Sequence, residues 1–370
     1  MNILIINPML YTAPLKGGKI PKIDTIKDTM IVNFCIGFVK NGHKVTLIAS
    51  NEYKPIYEEN FGFKIIYLEN WITKFIPKFP HGLPLLNGLK KYLLNNNDKF
   101  DIVISSELFT FHSITAAKIC PEKLIIWQEF GHHHTFMHKI PSKIWHKFIV
   151  GRYIKRKVLV VARSIVAREF SERYCDHVSE EIINNSVDTD KFQIAPNKDD
   201  YLIIVSRLVP GKNISAIIDK YIKYDKKYNE GISLYIVGDG SERNYLEELV
   251  SKEKYSDKIH FFGRLQQTEF AELLSKAKGF FCDTIRELNM ISMTEAIVSG
   301  TPVLTNCVPQ QYKMVNDYKL GIAKDNWNED DIYVLIKNYS KYSQNCIKIR
   351  ATLSNTYIAN QIIRIYNKRK

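Results

Sequence analysis

Tyr201-Leu-Ile-Ile-Val205-Ser-Arg207-Leu-Val-Pro-Gly-Lys212-Asn213 is the stretch on which the fold turns. Its short β-branched run reads as a strand, Pro210 and Gly211 break that run, and residues 213–226 continue with a helical apolar spacing. A second run, Ser233-Leu-Tyr-Ile-Val237, follows. Two strands joined by a helix form a parallel pair, because parallel neighbours need a crossover. The alternation continues outward toward the C-terminus, with strands at 259–262, 280–282 and 302–305. Helices over 242–254, 268–277 and 292–298 lie between them, and a helical tail runs from about residue 330.

Upstream, residues 184–200 are polar, turn-rich and without periodicity, the composition of a domain boundary. Before them the same alternation occurs once more. Strands are expected at 3–6, 45–49, 64–68, 101–105, 124–127, 158–162 and 181–183, and helices over 25–40, 112–119, 142–156 and 164–174. The fold class is therefore α/β, with two Rossmann-like domains built on parallel sheets. A chain of 370 residues, 45% of them hydrophobic, is long enough to bury a core in each.

Composition narrows the setting. Six scattered cysteines without a C-x-x-C pair fit a reducing compartment and argue against a thiolate zinc site. Met1-Asn-Ile-Leu-Ile-Ile-Asn-Pro8 lacks a basic region and a cleavage site, so it reads as a first strand rather than a signal peptide, giving a cytoplasmic expectation. No uncharged apolar stretch is long enough to span a bilayer. The net charge of +13 is uneven, +10 over residues 1–180 and +3 over 181–370, so the first half attracts anionic partners. Anionic membranes and nucleotide phosphates fit that field. Nucleic acid is not expected, because no recognised module accompanies the charge.

Ligands of open parallel sheets bind beyond the C-terminal strand ends, and four such places in the second half point the same way. Arg207 and Lys212 put two cations at a loop leading into a helix N-terminus, where backbone amides also favour a diphosphate. Gly238-Asp-Gly240 permits a tight turn and a close backbone approach. Gly263-Arg264 ends the next strand. The fourth place, Phe281-Cys-Asp-Thr-Ile-Arg-Glu287-Leu-Asn-Met-Ile-Ser-Met-Thr-Glu295, sets two carboxylates eight positions apart around a strand-to-helix transition. Carboxylates accept from vicinal hydroxyls, one suiting a ribose and the other a sugar. A local alternative exists, because Ser292-Met-Thr-Glu295 also has the spacing of a capping box.

Taken in order, Val205-Ser-Arg-Leu-Val-Pro-Gly-Lys212, Ile236-Val-Gly-Asp-Gly240, His260-Phe-Phe-Gly-Arg264, and Glu287-x7-Glu295 followed by Gly300-Thr-Pro-Val303 resemble the GT-B glycosyltransferases of family 4. Gly17-Gly18, Asn41-Gly-His-Lys-Val45 and Asn184-Asn-Ser-Val-Asp188 with Phe192 extend that resemblance over almost the whole chain. It implies an acceptor-side domain over 1–184, a linker over 185–200, a nucleotide-sugar-binding domain over 201–345 and a C-terminal helix, 346–370, packing back on the first domain. The two sheets would face across a cleft.

It further implies a retaining hexosyltransferase for surface polysaccharide or lipopolysaccharide. The donor is a nucleoside-diphosphate sugar, the acceptor a glycan or lipid-linked saccharide, and no metal cofactor is used. Arg207 and Lys212 would bind the diphosphate, Glu287 the donor sugar and Glu295 the ribose. Gly240, Arg264, Leu288, Asn289, Met290 and Ile291 would line the donor. Gly18 would approach the phosphates as the cleft closes; by itself it reads equally as a flexible loop. Either Glu129 or His132 takes the place where the family commonly puts a histidine on the donor sugar. One departure stands out: the family has a glycine-containing stretch after the first glutamate, where this chain has Leu288-Asn289-Met290.

Other signals point elsewhere. Asp188-Thr-Asp190 has a metal-binding D-x-D spacing but sits in a turn, and adjacent His132, His133 and His134 cannot easily converge on one ion. Residues 71–91 interleave aromatics and lysines, suiting either a membrane interface or the edge of a domain. Two rival functions share the architecture: a nucleotide-sugar epimerase, and a catalytically silent subunit that binds a partner or membrane.

Overall fold

The computed structural model describes residues 1–11, 20–72, 83–134, 136–287 and 289–369. Gly17, Gly18, Leu288 and residues 73–82 of the 71–91 segment lie outside them. The chain divides into two compact units, Met1–Ser186 with Asn355–Lys370, and Val187–Ser354.

The first unit is built on a six-stranded sheet in the order β3-β2-β1-β4-β5-β6. These strands are β1 (Asn2–Ile6), β2 (Lys44–Ser50), β3 (Lys64–Leu68), β4 (Ile102–Ser106), β5 (Leu124–Gln128) and β6 (Leu159–Ala162), all parallel. Ile3, Leu4, Ile5 and Ile6 are all buried, since helices cover both faces and no polar alternation is needed. From the helix Met30–Lys40, Phe34 stacks on Trp127 of β5 with ring centroids 4.2 Å apart. The Trp127 indole N–H donates to the Ile183 carbonyl at 3.2 Å. Residues 181–183 form no strand: Ile183 keeps one backbone bond to Ala162, at 2.9 Å, and the chain leaves the sheet.

The helix Asn355–Lys368 packs along Met30–Lys40 within this unit. Contact is close enough that a Cβ on Gly37 would stand 2.2 Å from the Asn355 carbonyl oxygen. Asn41 donates to the Thr356 carbonyl at 2.8 Å, and the Tyr366 hydroxyl to that of Asp101 at 3.1 Å. Only residues from 355 onward belong here. Cys346 and Leu353 are core residues of the second unit.

The second unit carries the order β12-β11-β10-β7-β8-β9. Its strands are β7 (Tyr201–Val205), β8 (Ser233–Val237), β9 (Ile259–Gly263), β10 (Gly279–Cys282), β11 (Val303–Thr305) and β12 (Gly321–Ala323). Residues 187–200 are packed into this unit rather than free. Val187 and Phe192 are buried, and the Arg350 guanidinium donates to the carbonyls of Thr189, Phe192 and Val298. The Lys198 ammonium reaches the Ser275 carbonyl at 2.6 Å and the Thr301 hydroxyl at 3.0 Å. A polar, aperiodic sequence reads as a linker, but here its backbone is held by side chains from distant positions.

Candidate functional site

Strand order places the site. From β7 the chain winds to β8 and β9 on one side, while β10, β11 and β12 lie on the other. The loops after β7 and β10 thus diverge at the topological switch point, where a crevice opens beyond the strand ends.

The loop after β7 is fixed from below. Ser206 N–H donates to the Val237 carbonyl, and Leu208 N–H to that of Asp239, both at 3.0 Å. Such contact requires glycine at two places. A Cβ on Gly238, whose φ is 138°, would lie 1.8 Å from the Ser206 carbonyl oxygen, and one on Gly240 would lie 2.2 Å from that of Leu208. The Gly238 N–H bonds the Gly263 carbonyl at 2.7 Å, so the ends of β7, β8 and β9 form one platform.

On the other side, the loop after β10 is fastened to the loop after β7. Thr284 is fully buried; its hydroxyl and the Ile285 N–H both donate to the Gly211 carbonyl, at 2.8 and 3.0 Å. The buried Asp283 carboxylate accepts from the Lys220 ammonium at 2.7 Å and the Asn213 amide at 3.3 Å. Lys220 in turn sits 4.0 Å over the Trp327 ring. Asn213 is left-handed, with φ 52°, and turns the chain into the helix Ile214–Tyr228. Because its side chain faces Asp283, no side chain caps that helix among the described residues, and the first-turn amides keep their anion-binding character.

Lys212 and Glu287 meet across this switch point as an ion pair. Arg207 and Arg264 are exposed, and neither guanidinium has a side-chain partner among the described residues. Glu295 is not part of a capping box. Its helix, Ile291–Val298, begins before Ser292, and the N-cap is Met290. The Glu295 carboxylate is buried and accepts from the Gln267 amide at 3.0 Å, while the Gln267 carbonyl accepts from the Lys191 ammonium at 3.2 Å. A cation thereby supports the carboxylate through one intermediary.

Met290 is buried, and both of its backbone groups are taken. Its N–H donates to the Gln311 side-chain oxygen at 3.3 Å, and its carbonyl accepts from the Gln311 amide at 3.1 Å. Asn289 is half-buried, and Ile291 is exposed at the start of the helix. Thus Arg207, Lys212, Gly240, Arg264, Glu287, Asn289, Met290 and Ile291 sit on loops or helix starts beyond the C-terminal strand ends of one sheet, and Glu295 lies one turn into the helix that follows β10. Sequence reasoning missed Asp283, Lys220, Gln267, Lys191 and Gln311. Only Asp283 carried a signal, as a charge directly after a strand.

Glu129 and His132 belong to the first unit. Glu129 is committed to Arg163, whose guanidinium reaches its Oε2 at 2.6 Å and lies 4.5 Å over the Trp127 ring. His132 is exposed, edge-on to Phe130. His133 turns instead to the Tyr174 hydroxyl at 3.0 Å and the Ser142 hydroxyl at 3.2 Å, so the three histidines do not converge. Among the described residues no cluster suits a metal ion. In the D-x-D segment, the Asp188 carboxylate accepts from the Asp190 N–H at 3.2 Å, which closes a turn.

A further residue stands at the first unit's own switch point, between β1 and β4. Glu107 follows β4 in a left-handed conformation, φ 65°. Its carboxylate accepts from the N–H groups of Glu129 and Phe130 at 2.8 and 3.3 Å. Burial pushes its pKa up to about 7; the two amide bonds and Arg163 work against that, and the Glu129 charge with it.

Comparison with known proteins matches the model described as "Glycosyl transferases group 1" to residues 186–351, and that described as "Glycosyltransferase Family 4" to residues 28–191. The O-antigen chain mannosyltransferase RfbU of Salmonella typhimurium is 27% identical over 187 residues, 50% of this chain and 52% of that protein. The alpha-monoglucosyldiacylglycerol synthase of Streptococcus pneumoniae is 23% identical over 197 residues, 49% of this chain and 44% of that one. The matches thus span about half the length of these relatives, or less. Among solved structures, HepE of Anabaena in complex with UDP and glucose superposes with a TM-score of 0.62 at 13% identity, covering 100% of both chains. That likeness shows the fold.

Proposed function

We propose, from the premise that this chain belongs to the group 1 and family 4 glycosyltransferases and has the GT-B fold, that it transfers a hexose from a nucleoside-diphosphate sugar to a hydroxyl of a glycan or lipid-linked saccharide. Surface polysaccharide or lipopolysaccharide synthesis is the setting, and retention at the anomeric carbon the outcome. The observation that carries this reading is the meeting of Lys212 and Glu287 across the β7/β10 switch point, beside an uncapped helix N-terminus.

In this reading the second unit holds the donor and the first the acceptor. Lys212, Arg207 and the first-turn amides take the diphosphate, so that negative charge growing on the departing oxygen meets fixed cations. Glu287 accepts from hydroxyls of the sugar, and Glu295, supported by Gln267 and Lys191, from the ribose diol. The bond from the anomeric carbon to the diphosphate oxygen breaks, the acceptor oxygen bonds to that carbon, and the acceptor's proton is released. Cations of the protein do the work a divalent metal would do, so transfer should withstand EDTA. No helix among the described residues is long and apolar enough to cross a membrane. The reading places the protein in the cytoplasm, in peripheral contact with the anionic inner face of the plasma membrane.

Thermal unfolding of the wild type, Lys212→Ala and Glu295→Ala with UDP, GDP, ADP or CMP tests the donor site. A ligand at a hundred times its Kd adds about 2.7 kcal/mol of stability. One nucleotide raising the wild-type midpoint with and without EDTA, but neither variant's, is the expected result. No shift with any nucleotide would leave the silent-subunit reading, which the occupied backbone of Met290 favours.

A further inference from the structure

The strand β5 is followed by a continuous helix over residues 140–153, in which Ile140–Ile144 passes through a π-type turn at Trp145–Val150 into Gly151–Tyr153. Its inner face is already satisfied. Ser142, His146 and Val150, spaced by four, are buried, and Phe109 and Phe111 meet the edge of Trp145 with centroids 5.4 and 5.2 Å apart. The opposite face is apolar as well. Ile140, Ile144 and Phe148, again spaced by four, are 58%, 54% and 60% exposed, and Met137 just before them is 63% exposed. A wider π turn keeps residues four apart in line, so these side chains form one ridge. A helix that is apolar on both faces needs cover on both, and a contiguous exposed apolar ridge marks an interaction surface.

Charge identifies the cover. Lys139, Lys143 and Lys147, all exposed, follow the same spacing one position earlier in the chain and so flank the ridge. From Phe130 to Arg168 the sequence has nine Lys and Arg and no Asp or Glu. A second copy of the chain docked by a twofold axis would set these lysines against one another, since such an interface pairs a patch with itself. Nucleic acid would match the lysines but leave the apolar ridge in water. A bilayer surface with anionic headgroups meets both, with apolar side chains below the phosphates and lysines level with them.

We propose that the outward face of helix 140–153, with Met137, is the segment by which this protein lies on an anionic membrane. The proposal deepens the peripheral-membrane part of the function above and assigns that contact to a different surface from residues 71–91. It does not depend on the donor site. Lys139, Lys143 and Lys147 hold the headgroup phosphates, and Ile140, Ile144 and Phe148 enter the interface beside them.

Co-sedimentation with vesicles of phosphatidylcholine alone, or with 40% phosphatidylglycerol, tests it on the full chain, using wild type, Ile144→Asn/Phe148→Asn and Lys143→Gln/Lys147→Gln. Circular dichroism and a cooperative thermal transition show that each variant is folded. Wild type should bind the anionic vesicles only, and less at high salt. Losing two lysines should weaken partitioning by roughly thirtyfold, from about 1 kcal/mol per basic residue at such a surface, and losing the two apolar residues by at least as much. Wild type that ignores both vesicles, or folded variants that bind as wild type does, would overturn the proposal. So would equal retention on RNA or DNA, or a dimer in sedimentation equilibrium that the Asn variant abolishes. Vesicle binding is read without donor, so its failure is distinguishable from failure of the nucleotide assay.

Discussion

Replacing Lys212 with methionine and Glu287 with glutamine should move the affinity for a nucleoside diphosphate in opposite directions. The two side chains form an ion pair at 11% and 25% exposure, shielded enough for charge interactions to persist. Unit charges about 4 Å apart at an effective dielectric near 20 interact by about 4 kcal/mol. An incoming diphosphate has to share the ammonium with that carboxylate. Removing the cation deletes one charge-assisted contact, about 1.5–3 kcal/mol, or roughly 10- to 150-fold in Kd. Neutralising the carboxylate instead frees the cation. If a quarter of the Coulomb term survives solvent, the gain is about 1 kcal/mol, roughly fivefold tighter binding. Turnover of the sugar nucleotide should still fall in Glu287→Gln, because in the proposed reading the sugar hydroxyls lose a charged hydrogen-bond acceptor for a neutral one. Isothermal titration of the selected diphosphate into wild type, both single variants and the double variant reads these signs, and the double variant should follow Lys212→Met. Equal losses in the two single variants, or a double variant that binds like wild type, would refute the assignment of Lys212 to the diphosphate.

Gly238→Ala should cost the second unit about 3 kcal/mol or more, because its Cβ meets the Ser206 carbonyl at 1.8 Å and its φ is 138°. Gly211→Ala, with open space around the new Cβ, should stay within about 0.5 kcal/mol in the same denaturant titration. Glu107 is an acid whose folded pKa is raised, to about 7. Its contribution to stability is therefore full below the unfolded value near 4.5 and is lost as pH rises through 7, on the order of 3 kcal/mol across that window. Glu107→Gln should flatten this part of the stability profile, and an unchanged slope would count against the shift. Gln311→Ala strands the buried N–H of Met290, leaving its carbonyl only the Thr294 N–H at 3.4 Å, and should lower stability by about 1–3 kcal/mol, with little effect on nucleotide affinity.

The alternation of β-branched runs and helices was enough to read eleven of the twelve strands, because parallel strands covered on both faces need no side chain to explain them; β12 was not read, and 181–183 was read as a strand that does not form. Tyr201–Val205 and Ser233–Val237 are strands with the bounds that their sequence suggests. Local pattern failed where distant groups decide the structure. Residues 185–200 read as a linker because nothing nearby reveals Arg350, 150 or more positions along the chain, bonding the carbonyls of Thr189 and Phe192. Ser292-Met-Thr-Glu295 has the spacing of a capping box, yet Glu295 is drawn to Gln267 from another helix and the helix starts earlier. Candidate site residues were legible only as ends of strands. Which of them touch, Lys212 with Glu287 and Asp283 with Lys220, depends on the order of strands in the sheet, which no local periodicity encodes.

The departure after Glu287 then acquires a physical meaning. A glycine-containing stretch can offer its amides to a donor because it has no side chain to bury and no fixed partner. Here Met290 is buried, and Gln311 takes its N–H and its carbonyl together, so the backbone of Met290 is spent on holding the loop. In the proposed reading, anion binding then falls on charge: Lys212 beside Glu287, the exposed Arg207 and Arg264 at the ends of β7 and β9, and the uncapped amides of the helix Ile214–Tyr228. Exposed cations are screened by salt, whereas short amide bonds in a closed loop are not. Diphosphate binding by this protein should accordingly weaken steeply with ionic strength, and Arg207→Ala, which removes an exposed charge, should reduce that dependence more than it reduces affinity at high salt.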